Sequence, residues 1–77
     1  MSGAEDLTSR IVELRRRYTP THLVMSSATL SGLADDPACP GQVEYYGNLP
    51  TFSGINVALD DNTKGVVIIY AGGRQEP

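Results

Sequence analysis

Four groups of side chains in this 77-residue chain have the chemical character to do more than fill space. They are His22, Cys39, the run Asp60-Asp61-Asn62, and the run Arg15-Arg16-Arg17. His22 is the only histidine and so the only imidazole able to act as a base near neutral pH. A Cys39 thiolate beside it would form a two-residue nucleophilic pair. That chemistry needs a feature that lowers the thiol pKa, such as a helix N-terminus. Cys39 instead lies between Ala38 and Pro40, where no helix start is expected. His22 falls in a predicted strand next to Leu23, where a ring nitrogen bonded to a backbone group is the simpler role. One Cys and one His cannot close a tetrahedral zinc site. The Asp60-Asp61-Asn62 run lacks the alternating spacing and closing acid of a calcium loop, and these residues are also ordinary turn formers. No glycine spacing matches a phosphate loop or a dinucleotide fingerprint. The chain is therefore expected to be no enzyme and to carry no metal and no cofactor.

Contact chemistry is better represented. Adjacent strand residues point to opposite sheet faces, so Tyr45 and Tyr46 are expected to divide, one into the core and one outward. An outward tyrosine together with Phe52 would make an aromatic contact patch, a common feature of protein interfaces. Glu44, Asp60 and Asp61 add acidic contacts suited to a basic protein partner. Ordinary packing of the aromatics and a solvated turn at Asp60-Asp61 are the competing structural roles. Arg15-Arg16-Arg17 either grips an acidic partner or compensates the negative end of a helix.

These residues sit on elements that the sequence marks with different clarity. Ala4, Leu7, Ile11, Leu14 and Tyr18 recur at three- and four-residue spacing, which predicts a helix from about Ala4 to Tyr18, stopped by Pro20. Glu5, Ser9, Glu13, Arg16 and Arg17 fall on its opposite face. Thr21 to Met25 reads as a strand. Ser26 or Ser27 then offers an N-cap for a short helix through Ala34, with Leu30, Leu33 and Ala34 buried. Gln42 to Tyr46 reads as a strand, and Leu49 to Gly54 as a turn-rich link. Ile55 to Leu59 alternates as a strand, and Val66 to Tyr70 is an unbroken apolar strand. The six-residue connection between these last two predicts an antiparallel hairpin. Val66 to Tyr70, lacking polar alternation, is expected to be central and covered on both faces. The ends, about residues 1–3 and 72–77, read as flexible. The expectation is a single α+β domain over 1–77, with two helices packed on a mixed or antiparallel sheet of about four strands and a C-terminal β-hairpin.

Composition narrows the partner class. The chain is 40% hydrophobic and 19% charged, with a net charge of −3 and only six Lys and Arg. Such a profile belongs to a folded chain, and it lacks the basic face that neutralises phosphates. Direct nucleic-acid binding and attachment to anionic membrane are disfavoured. A domain of this size buries only about 60% of its unfolded surface, so a protein partner or self-association into a homo-oligomer would add needed stability. One cysteine, the absence of a leader-like start and the absence of a run long enough to span a bilayer lead to an expected cytoplasmic location.

Pro20-Thr21-His22-Leu23-Val24-Met25-Ser26 entering a short helix, followed by Tyr46-Gly47, Gly54-Ile55-Asn56-Val57 and Gly65-Val66-Val67-Ile68, resembles part of a known family. The stretch 20–71 is similar to the axis-proximal domain of tailed-phage major capsid proteins. It departs from that pattern in having Gly54-Ile55-Asn56 where the family tends to have Gly, an apolar residue and Pro, and it lacks the long spine helix and extended arm. The resemblance implies a small phage or prophage structural or accessory protein, associated with the virion or acting in the host cytoplasm. The alternative kept open is a phage-encoded inhibitor that blocks a host protein, such as a defence or nucleic-acid-processing complex.

Overall fold

The computed structural model describes residues 3–38 and 41–76; Cys39, weighed above as a nucleophile and set aside, lies outside them. The chain folds as two helices on a six-stranded mixed sheet, an α+β domain. Helix α1 is Gly3–Leu14 and α2 is Ser27–Ala34. The strands are β1 (Pro20–Met25), β2 (Val43–Tyr46), β3 (Leu49–Phe52), β4 (Ile55–Leu59), β5 (Val67–Tyr70) and β6 (Gly73–Gln75), ordered β2-β3-β4-β1-β5-β6 across the sheet.

Helix α1 forms where the apolar stripe predicts it. Ala4, Leu7, Ile11 and Leu14 are all buried. The helix ends earlier than the stripe suggests: Arg15-Arg16-Arg17 form a turn, and both the Arg15 and Tyr18 amides bond back to helix carbonyls, of Ile11 and Leu14. The arginine run therefore follows the helix and is not its last turn. Ser26 is the N-cap of α2, its hydroxyl accepting from the Thr29 amide at 3.1 Å. Leu30 and Leu33 are buried as expected, but Ala34, the last residue of the helix, is exposed.

The strand order differs most from the sequence expectation. Ile55–Leu59 and Val67–Tyr70 do not pair. Strand β1 lies between them, parallel to β4 through Leu23–Val57 and antiparallel to β5 through Leu23–Ile68. The polar turn after β4 spans the end of β1, and the Asp60 amide bonds the Met25 carbonyl at 2.8 Å. Six residues reach easily across two inter-strand gaps of about 4.8 Å each, so a short connection does not force a hairpin. A C-terminal β-hairpin is present, made by β5 and β6, so the stretch read as a loose tail supplies the edge strand. The central pair is β1 and β4, and β5 is one strand from the edge.

The link Leu49–Gly54 also becomes structure. Gly47-Asn48 and Ser53-Gly54 are two-residue hairpin turns, closing Tyr46 on Leu49 and Phe52 on Ile55. Positive φ at Gly47 (66°), and at both Ser53 (51°) and Gly54 (80°), matches the turns whose twist suits adjoining strands. Pro50 fits in β3 because the β3–β4 ladder begins only at Thr51–Asn56.

Both helices cover one face of the sheet. Ala4, Leu7, Ile11, Leu14, Leu30 and Leu33 share a single core with Leu23, Met25, Phe52, Ile55, Val57, Val66 and Ile68. Arg10, on the margin of α1, ties the last strand to that core. Its Nε donates to Gln75 Oε1 at 3.0 Å, and its Nη2 donates to the carbonyls of Val66 (3.0 Å) and Glu76 (3.2 Å). Arg10→Ala is expected to lower unfolding free energy by about 1–3 kcal/mol, from the loss of charged hydrogen bonds that are partly buried. Urea denaturation measures that loss, and faster amide exchange confined to residues 73–75 would locate it.

Candidate functional surface

The face of the sheet opposite the helices is the surface with the most unspent contact chemistry. Strand alternation puts Leu23, Met25, Val57 and Ile68 into the core, and so turns Val24, Ala58, Val67 and Ile69 the other way. Two rows of side chains cross this open face. One runs Glu44–Thr51–Asn56–His22–Ile69–Arg74, each residue in register with the next across all six strands. The neighbouring row is apolar, with Tyr46 paired to Leu49 on one side and Ala58–Val24–Val67 on the other. Tyr46 and Leu49 are 64% and 68% exposed. Val67 is buried among its neighbours, and Val24 and Ile69 are half-buried. Cover was expected on both faces of the Val66–Tyr70 stretch; among the described residues no helix covers its outer face, because both helices lie on the same side.

The residues singled out from sequence separate into three sets. Tyr45 and Tyr46 are both exposed, at 59% and 64%, and neither joins the core. They occupy an edge strand, so Tyr45 points to the helix side but lies beyond the region α1 and α2 cover. Phe52 belongs to no exposed aromatic patch. It is completely buried, one strand further in, where its ring fills the core between the sheet and the helices. Glu44 is exposed at one end of the charged row.

Asp60 and Asp61 do structural work. Asp60 Oδ1 accepts from the Asn62 amide at 2.9 Å and shapes the turn. Asp61 Oδ1 accepts from both the amide and the hydroxyl of Ser27, at 3.0 and 2.9 Å, fastening the β4–β5 turn to the start of α2. His22 sits in the middle of the charged row, and its Nδ1 lies 3.2 Å from the Thr21 hydroxyl, with a catalytic partner absent among the described residues.

Sequence reasoning missed Leu49, Val24, Ile69 and Arg74. The two-residue turns were the available signal for Leu49, because recognising them makes it the cross-strand partner of Tyr46. The arginine run borders a separate groove of about 410 Å³, lined by Arg16, Arg17, Glu13 and Arg74 around a Tyr18–Tyr70 contact whose ring centres are 4.4 Å apart. Arg16 is 3.6 Å from Glu13, an exposed pair of small energetic weight. Among the described residues, no helix is long and apolar enough to cross a membrane.

Comparison with protein-family models, with curated proteins and with solved structures finds no match to this chain.

The Asp61 contact carries a pH signature. The Ser27 amide, and then the Ser27 hydroxyl, hold the Asp61 carboxyl below its ordinary range, against a small opposing effect of desolvation. A carboxyl with a depressed folded-state pKa contributes stability above the unfolded value of about 3.9, and loses it as pH falls through the folded value. Wild type is therefore expected to be more stable than Asp61→Asn near neutral pH. The gap should narrow as pH is lowered below about 3.9, as read by denaturant melts of both proteins across that range.

Proposed function

We propose that this chain is a small, non-enzymatic protein-interaction module that docks through the open face of its sheet. The observation carrying this reading is the Tyr46–Leu49 pair, two large apolar side chains that face each other across a rigid hairpin with most of their surface exposed. Large, stiff side chains held by short turns lose little entropy on contact, and tyrosine is enriched at interface centres. The apolar row continues from them through Ala58 and Val24, so the exposed pair is one end of a larger surface. Glu44 and Arg74 at the two edges supply polar rim groups.

On the sequence resemblance of residues 20–71 to the axis-proximal domain of tailed-phage capsid proteins, we read the module as a phage or prophage accessory protein that associates with virion components. A host-protein inhibitor working through acidic mimicry has less support. Two of the three acids that would carry it, Asp60 and Asp61, are engaged in the turn and at the start of α2.

Affinity capture from infected or lysogenic cells tests the docking reading, comparing wild type with Tyr46→Lys/Leu49→Lys. Both positions are exposed, so the double variant should keep its fold by circular dichroism. A discrete protein retained by wild type and lost by the variant is expected. Recovery of the same proteins by both would reject the open face as the docking surface.

A further inference from the structure

We propose that the groove beyond the end of α1 binds a phosphate monoester carried on a flat ring. Tyr70 is in phase with buried Ile68 and packs against the core, so the groove opens on the helix side of the sheet, away from the docking face. Its volume of about 410 Å³ is that of a small-molecule site. The carrying observation is a stacked tyrosine pair beside a guanidinium that has no partner.

The aromatic wall is held in place by its neighbours. Tyr18 and Tyr70 pack with ring centres 4.4 Å apart and planes tilted by 30°. Tyr70 also lies against Gly73, its cross-strand partner, where a Cβ would come within 3.1 Å of the phenol oxygen. Glycine thus leaves the room that the ring occupies. Tyr18 remains 46% exposed, so the pair still offers ring surface on which a further flat ring can stack.

The cationic wall follows from where α1 stops. The amides of Arg15, Arg16, Arg17 and Tyr18 bond back to the carbonyls of Ile11, Glu13 and Leu14, so the backbone itself satisfies the helix end. The arginine side chains are not needed as caps, and Arg16 and Arg17 line the groove. Among the described residues, the Arg17 side chain makes no ion pair and no hydrogen bond. Arg16 has one exposed contact with Glu13 at 3.6 Å, which an arriving anion displaces at little cost. Arg74 borders the groove too, but Glu76 holds it at 2.8 Å, and it is not counted among the anion's ligands. Every basic residue except Lys64 lies on α1, on the turn after it or on β6, which makes this end the positive pole of a chain of net charge −3. Two guanidinium forks match the oxygens of one phosphate monoester, which is close to doubly charged at neutral pH. Glu13, 73% exposed, is the one opposing charge in the lining.

Two sources carry this chemistry, a nucleoside monophosphate and a phosphorylated tyrosine. Titrating the whole chain with adenosine monophosphate, phosphotyrosine amide and inorganic phosphate, followed by NMR of the Tyr18 and Tyr70 ring signals, tests the site and separates the sources. The ring phosphates should saturate with a Kd of about 1 mM or tighter, and the tighter of the two names the source. Inorganic phosphate, lacking the ring, should bind at least about threefold more weakly. Arg17→Gln should weaken the ring phosphates about tenfold, and Tyr18→Leu should erase their advantage over inorganic phosphate. Glu13→Gln should tighten binding about twofold, while Arg15→Gln, outside the groove lining, should change it by less than about twofold. All four positions are exposed, and the wild-type titrations need no variant. Ring signals that do not saturate with either ring phosphate at about 10 mM overturn the proposal. So does inorganic phosphate binding as tightly as the ring phosphates, or equal weakening by Arg15→Gln and Arg17→Gln, which would mark a diffuse positive field with no site.

Discussion

Everything in this fold depends on β1 having two partners. Leu23 and Met25 are fully buried only because β4 closes one side of the strand, β5 closes the other, and the helices close the top. A strand central to a sheet must satisfy its backbone groups on both edges. β1 does so by pairing parallel to β4 and antiparallel to β5, separating two strands that are neighbours in sequence. Placing β1 there sends the chain through α2 and the β2–β3 hairpin before it returns as β4. Both helices end up on one face, and the other is left to solvent.

Long-range polar contacts hold this arrangement at its margins, where the apolar core is thinnest. Asp61 fastens the turn that crosses the end of β1 to the start of α2. Asp36 reaches the Ala4 amide at 3.2 Å and joins the end of α2 to the start of α1. Arg10 holds β6 and the start of β5 against α1. Each joins elements more than 30 residues apart, so each contributes where local helix or hairpin propensity has no influence. The acidic side chains thus serve folding first, and the surface left for recognition is largely apolar with charges at its two edges.

The parts of the fold legible in sequence are those with local causes. The α1 stripe at Ala4, Leu7, Ile11 and Leu14 is a periodicity, and Ser26 capping α2 is a chemical preference at one site. The α+β class follows from the succession of such signals; a C-terminal hairpin is present, but it joins β5 to β6 and not the two strands that the sequence paired. The order of strands is not local, so a six-residue turn that looked sufficient for a β4–β5 hairpin was equally able to cross β1. Pro50 masked β3, since a proline in a short run argues against a strand unless its partner ladder begins after it. The division of Tyr45 and Tyr46 between core and solvent holds for a strand covered on one side. It fails for β2, an edge strand whose cover on the helix side reaches Val43 but leaves Tyr45 exposed. Phe52 looked like a contact residue because its link looked like a loop; once that link is a strand next to β4, the ring has only the core to enter.

The central claim is physical: one face of the sheet is sealed by helices and the other is not. Methyl NMR with a soluble paramagnetic probe measures it directly, with the chain at low concentration. The one-sided sheet predicts strong broadening at Val24, Ala58 and Ile69, with Leu23, Met25 and Ile68 protected. Equal protection of the two sets would contradict it.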